Sequence, residues 1–253
     1  MAAEPKRLSG KRALVTGASS GIGLATARLF AAHGAAVALN GRRAQPLEAL
    51  ARDIGAPAVA VPGDVGVADV AESIVSRSVA ALGGLDIVVN AAGIVVPCLL
   101  RDMSAQLFTD HIAVNLLGTF YVARAAALHM MERQGGTIVN VGSELSHIGM
   151  PHYVPYCASK AGVIGLTKSM AAELAPKVTV NAICPGPVDT PMMEAEIQWF
   201  GGTDKVRRDV TERVPLKRMA SPEEVAVAIL FLAADAPFAT GATLALDGGT
   251  TAV

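Results

Sequence analysis

Two side chains near the middle of the chain could move a proton together. In "YCASK", Tyr156 and Lys160 stand four residues apart, and Pro155 just before them suits the first turn of a helix, so both would project from one helix face. A phenol with an unperturbed pKa of about 10 is a poor base near neutrality, but an adjacent ammonium favours the phenolate and makes it a usable acid/base. Tyr153 has Cys157 at the same offset and cannot form that pair within the helix. Alone, a Tyr-x-x-x-Lys pattern arises often by chance, and an aromatic packed on a sheet with a surface lysine behind it is then the commoner meaning.

A second constellation is "TGASSGIG", Thr16 to Gly23. A tight strand-to-helix turn needs Gly17, a pyrophosphate lying against the backbone needs Gly21 to have no side chain, and close helix-to-sheet packing favours Gly23. Ser19, Ser20 and Ile22 lie in the same turn, whose helix N-terminus would face the phosphates. The spacing is Gly-x-x-x-Gly-x-Gly, not the Gly-x-Gly-x-x-Gly of the usual dinucleotide fingerprint.

These residues need a scaffold, and the chain supplies one. "RALVTG", "AAVALN", "APAVAVPG", "LDIVVNAAG", "GTIVNVG", "KVTVNAICPG" and "GATLALDGG" read as strands, mostly apolar at nearly every position, as strands covered on both faces are. Helical patterns fall between them at about 21–33, 46–53, 67–82, 104–133, 155–175 and 222–234. The expected fold is α/β: a single-domain, Rossmann-like, doubly wound parallel sheet of about seven strands with helices on both faces, spanning 1–253. The segment at about 188–216, polar and glycine-broken, departs from this rhythm and reads as a substrate-binding loop or lid.

Bulk composition narrows the partners. The 253 residues are 52% hydrophobic and 17% charged with a net charge of -1, which provides no basic field for nucleic acid or an anionic membrane surface. "MAAEPKRLSGKR" has no apolar core for a leader, and the longest apolar run, Val225 to Ala234, is too short to cross a bilayer, so a cytoplasmic protein is expected. Cys98, Cys157 and Cys184 have no metal-type spacing and are odd in number, which favours free thiols. The histidines at 33, 111, 129, 147 and 152 form no His-Glu-x-x-His pattern, and no metal is expected; His147 and His152 fall where a side chain could reach substrate.

The ordered set of motifs resembles the short-chain dehydrogenase/reductase family over essentially the whole chain, with similarity to its 3-oxoacyl-acyl-carrier-protein reductase-like members. "NAAG" at Asn90 to Gly93 resembles the family's Asn-Asn-Ala-Gly, differing at Ala91; "AVNLLG" supplies Asn115, "VGS" Ser143, and "YCASK" Tyr156 and Lys160. The resemblance implies a catalytic set of Asn115, Ser143, Tyr156 and Lys160. Ser143, rather than its neighbour Ser146, lies thirteen residues before the tyrosine as the family's serine does. It would hold the substrate oxygen, while Asn115 would bind a water linking Lys160 to solvent. Asp64 and Val65 resemble the adenine-binding pair, Asn90, Ile183, Pro185, Gly186, Val188 and Thr190 match positions on the nicotinamide half, and Ala91 and Gly93 are further cofactor-binding candidates.

Cofactor choice turns on "ALNGRR". An acid at the end of this strand would hydrogen-bond ribose hydroxyls, whereas an arginine fork matches a 2'-phosphate; Gly41 stands in the acid's place and Arg42 follows, with Arg43 a second candidate. NADP(H) is therefore preferred. NAD(H) stays the alternative, because Ser20 stands where many NADP(H) members carry a basic residue. The expected activity is an NAD(P)(H)-dependent interconversion of a ketone and a secondary alcohol, foremost NADPH-dependent reduction of a 3-oxoacyl-type carbonyl. Alternatives are an NAD-dependent dehydrogenase of a sugar, polyol or cyclic diol, and a nucleotide-binding sensor or scaffold without turnover. A small-molecule substrate and a homotetramer follow from the same resemblance. Met192, Met193, Trp199 and Phe200 either line a substrate pocket or form a small helix packed on the core.

Overall fold

A computed structural model describes residues 6–252; the remaining positions, including part of the N-terminal stretch read for a leader, lie outside the described residues. Seven parallel strands, β1 (Arg12–Thr16), β2 (Ala36–Gly41), β3 (Ala58–Pro62), β4 (Ile87–Asn90), β5 (Gly136–Val141), β6 (Val178–Pro185) and β7 (Thr243–Leu246), form one sheet in the order β3-β2-β1-β4-β5-β6-β7. The order reverses between β1 and β4. In an open parallel sheet the crevice at that reversal, beyond the strands' carboxyl ends, is where ligands bind.

Side-chain alternation along the strands builds two cores. Ala13, Val15, Val37, Leu39, Ile87, Val89 and Val139 point to the face covered by α1 (Gly21–Ala32) and α9 (Pro222–Ala234), meeting Phe30, Val225, Ile229 and Leu230. Leu14, Ala38, Val88 and Ile138 point to the opposite face, meeting Ile74 of α3 (Ala68–Leu82), Val122, Ala126 and Met130 of α5 (Gly118–Met131), and Ala171 of α6 (Val154–Leu174). Both faces are thus apolar, as the near-continuous hydrophobic runs require. The remaining helix of this framework, α2 (Ala44–Ile54), packs on β3.

α4 (Ala105–His111) passes through a π-helical stretch, Ile112–Leu117, into α5, forming one helical run Ala105–Met131. By length and composition alone this run is long and apolar enough to cross a membrane, which the strand-by-strand reading of apolar stretches missed; much of its inner face, including Val122, Ala126 and Met130, is buried against the sheet.

The structure corrects the reading of 188–216 as irregular. It folds into α7 (Pro191–Trp199) and α8 (Asp204–Glu212). Each has a cap that explains it: Thr190 accepts from the Met193 N–H at 3.2 Å with Pro191 in the first turn, and Thr203 accepts from the Val206 N–H at 3.3 Å. Gly201 and Gly202, with φ of 111° and 66°, make the bend between them. The glycines mark a helix–helix turn within the segment.

Candidate active site

A cleft of about 1140 Å³ runs along the carboxyl edge of the sheet, from the β1–α1 turn to the inner side of α7 and α8. Its first half is made of backbone. Gly17 has φ 67°, and a Cβ there would lie 2.8 Å from the Ala91 carbonyl oxygen; a Cβ on Gly23 would lie 2.3 Å from the Gly17 carbonyl oxygen. Neither site tolerates a side chain, so the turn is pressed against both the "NAAG" loop and its own helix. Thr16 completes the joint, its Oγ1 accepting from the Ala91 and Ala92 N–H groups at 3.1 Å each. Ser20 is the N-cap of α1 yet makes no side-chain cap, so the first N–H groups of the helix face the cleft with its dipole behind them.

Gly17, Ser19, Ser20, Gly21, Ile22, Gly23, Arg42, Arg43, Asp64, Val65, Ala91, Gly93, Pro185, Gly186, Val188 and Thr190 all line this cleft. A cradle in which two glycines admit no Cβ, at a helix N-terminus with two exposed arginines beyond, fits a dinucleotide. Those residues would hold it. Asn90 and Ile183 do not line the cleft. Asn90 donates to Asn140 Oδ1 at 2.9 Å, and Asn140 donates to Thr167 Oγ1 at 3.0 Å, forming a buried chain behind the cleft wall, while Ile183 belongs to the apolar core.

At the middle of the cleft stand Ser143, Tyr156 and Lys160. Ser143 follows β5 and caps the 3-10 turn Glu144–Ser146, accepting from the Leu145 N–H at 3.1 Å; Ser146 accepts from the Ser143 N–H at the same distance. This reciprocal cap separates the two serines: Ser146 braces the turn and only Ser143 reaches the cleft. Lys160 is buried, its ammonium 5.7 Å from the centroid of the Tyr156 ring and donating to the Val141 carbonyl at 2.7 Å.

Asn115 sits in the π-helical stretch. Its Oδ1 accepts from the Ile94 N–H at 2.8 Å, and its Nδ2 donates to the Ile94 carbonyl at 3.0 Å and to Ser159 Oγ at 3.1 Å. Both polar atoms of the side chain have partners within the protein. Asn115 ties the loop after β4 to α6, one turn from Tyr156.

Burial dominates the electrostatics. It lowers the Lys160 pKa to about 8, and it raises that of the Tyr156 phenol, with the charge of Glu196 adding to the rise and the Ser143 hydroxyl opposing it. The expected effect of the lysine on the phenol is therefore not what this geometry shows: the ammonium is turned to Val141, and low dielectric pushes both groups toward their neutral forms.

The far half of the cleft adds charged residues that the sequence did not point to. Glu144 is buried and paired with Arg213, at the C-terminal end of α8, at 2.7 Å. Tyr153, the N-cap of α6, lies against Glu196 of α7, and its ring stacks on Phe200 at 6.4 Å. Burial raises the pKa of Glu144, Glu196 and Tyr153. Met192, Met193 and Phe200 also line this half, so α7 is at once the small helix and the pocket wall. Among the described residues no group of three or more His, Cys, Asp or Glu could hold a metal ion.

A family model described as enoyl-(acyl carrier protein) reductase, of the short-chain dehydrogenase type, matches residues 17–251. The chain belongs to the short-chain dehydrogenase/reductase family. It is 41% identical over 248 residues to a 3-oxoacyl-acyl-carrier-protein reductase of Thermotoga maritima, covering 96% of this chain and 98% of the relative. A D-threitol dehydrogenase of Mycolicibacterium smegmatis is 39% identical, covering 97% and 94%. A crystal structure of a short-chain type dehydrogenase/reductase from Mycobacterium marinum superposes with a TM-score of 0.90 at 38% identity, covering 97% of each chain. The fold and the family are as the motifs implied, and the chain is an NAD(P)-dependent oxidoreductase acting on carbonyl or alcohol groups.

Proposed function

We propose that this oxidoreductase interconverts a ketone and a secondary alcohol with NADP(H) as its preferred cofactor. The observation that carries the preference is the end of β2: Gly41 offers no carboxylate, and the exposed Arg42 and Arg43 line the cleft mouth beside Ser19 and Ser20. A guanidinium matches a 2'-phosphate bidentately, while nothing there repels one.

When bound, the cofactor's nicotinamide supplies or accepts the hydride. The chain's own groups manage the oxygen. Ser143 and Tyr156 face the same point in the cleft, so the serine hydroxyl holds the substrate oxygen while the phenol gives it a proton on reduction and takes it back on oxidation. Asn115 and Ser159 fix the helix turn that aims the phenol, Ser159 Oγ donating to the Tyr156 carbonyl at 2.8 Å.

Reduction of a 3-oxoacyl-type carbonyl is supported by the relative of that name at 41% identity. Oxidation of a sugar, polyol or cyclic diol is supported by the D-threitol dehydrogenase and by the acid-bearing far half of the cleft. A homotetramer is supported by exposed apolar side chains on the α4–α5 run, among them Phe120 and Leu128, and near the C-terminus, Val227, Phe231 and Phe238. Three free cysteines support a cytoplasmic location.

Fluorescence titration with NADPH and with NADH tests the cofactor choice. Tighter NADPH binding, lost in Arg42→Ala, is expected; tighter NADH binding in the wild type overturns it. Tyr156→Phe is expected to abolish turnover and keep cofactor binding, whereas turnover persisting in that variant removes the tyrosine from the chemistry.

A further inference from the structure

The far half of the cleft holds polar atoms that proton and hydride transfer do not use. Glu144 is 3% exposed; its Oε1 takes the Arg213 guanidinium, and its Oε2 is buried without a hydrogen-bond partner, although the residue lines the cleft. Thr250 stands close by, but its hydroxyl donates to the Asp247 carbonyl at 2.8 Å. His152 also lines the cleft, with Nδ1 buried and unpaired. Its backbone has φ 76°, a left-handed conformation that costs a non-glycine residue energy, and its ring is held 5.5 Å from each of Trp199 and Phe200 on the lid. These are two of four buried unpaired side-chain atoms among the described residues; the other two, on Asn40 and Asn90, belong to strand ends on the cofactor side.

Buried polar atoms without partners are rare in folded proteins, and two of them on residues that line one cleft point to partners supplied by a ligand. We propose, resting on the reading that Tyr156 works on a carbinol, that Glu144 and His152 determine specificity by hydrogen-bonding further hydroxyls of the substrate, which is a small neutral polyol or hydroxylated ring. An acyl chain would cover both atoms and satisfy neither. An anionic substrate would meet the carboxyl groups of Glu144 and Glu196, with the nearest cation, Arg213, already spent on Glu144. Met150, Met193 and Phe200 supply apolar lining beside them.

The test is kcat/KM for threitol and cyclohexane-1,2-diol against 2-butanol and cyclohexanol, each with NADP+ and with NAD+, and for acetoacetyl thioester with NADPH. A site built to bond a hydroxyl discriminates strongly against the analogue lacking it, so a preference of about 100-fold or more for the polyol or diol is expected. Glu144→Ala and His152→Ala should each shrink that ratio by about tenfold or more. His152 is partly exposed, so it tests the idea even where loss of the buried Glu144 impairs folding. Equal use of mono-alcohols, preference for the thioester, or variants that lower all substrates alike would overturn the proposal while leaving Tyr156 chemistry intact. Cofactor binding with no turnover of any of these compounds would instead overturn the reading on which it rests, and the proposal with it.

Discussion

Lys160→Met should change stability and activity in opposite directions. Lys160 is buried, and burial lowers its pKa from 10.5 in the unfolded chain to about 8 in the folded one, with the neighbouring Cys184 thiol opposing the shift. At about 1.4 kcal/mol per pH unit, the gap corresponds to about 3 kcal/mol of destabilisation while the ammonium is charged. Methionine removes that cost but leaves the Val141 carbonyl without the donor now 2.7 Å away, a loss of about 1–3 kcal/mol. At pH 7 the variant should therefore equal the wild type or exceed it by up to about 2 kcal/mol, while turnover falls by about 100-fold or more.

The pH dependence is the sharper test. Below pH 8 both folded and unfolded wild type carry the proton and the penalty is constant; between pH 8 and 10.5 the unfolded chain holds more protons than the folded one, so wild-type stability rises with pH. The variant has no proton at this site. Its stability relative to wild type should fall by about 3 kcal/mol from pH 7 to 10.5, measured by urea unfolding at one protein concentration. Stability curves that run parallel across that window would refute the burial argument, whatever the variant's activity.

Two further changes test the scaffold. Gly23→Ala puts a Cβ 2.3 Å from the Gly17 carbonyl oxygen, so the turn must move; NADPH affinity in a fluorescence titration should fall at least about tenfold, and an unchanged affinity would show that the turn is not rigid. Asp86→Asn breaks the bidentate pair with Arg12, whose guanidinium holds the Asp86 carboxyl below its ordinary pKa, and should cost about 1 kcal/mol at pH 7. Because a lowered acid contributes above its unfolded pKa and loses that contribution as pH falls through its folded value, thermal unfolding of variant and wild type should converge in acid.

What could be read in the sequence was what the backbone itself demands. Gly17 and Gly23 were recognisable because no other residue fits where they sit, and the strands because their apolar runs serve both cores. Tyr156 and Lys160 were recognisable because one helix turn places them together. The helix α8 escaped because its sequence looks polar and interrupted, although Thr203-Asp204 is a cap that a closer reading of helix starts would have found; α7 is one of the two alternatives the sequence leaves open for the residues from Met192 to Phe200.

Glu144 and Arg213 escaped for a deeper reason. They are 69 positions apart, on a 3-10 turn and at the end of α8, and neither lies in a motif. Each alone reads as a surface charge. Only folding buries the carboxylate, and only then does one of its oxygens lack a partner. Cofactor chemistry is thus written locally, in turns and helix spacings that one short segment can specify. The pairing of Glu144 with Arg213 joins distant segments, which is why the family could be read from the chain before folding and that pairing could not.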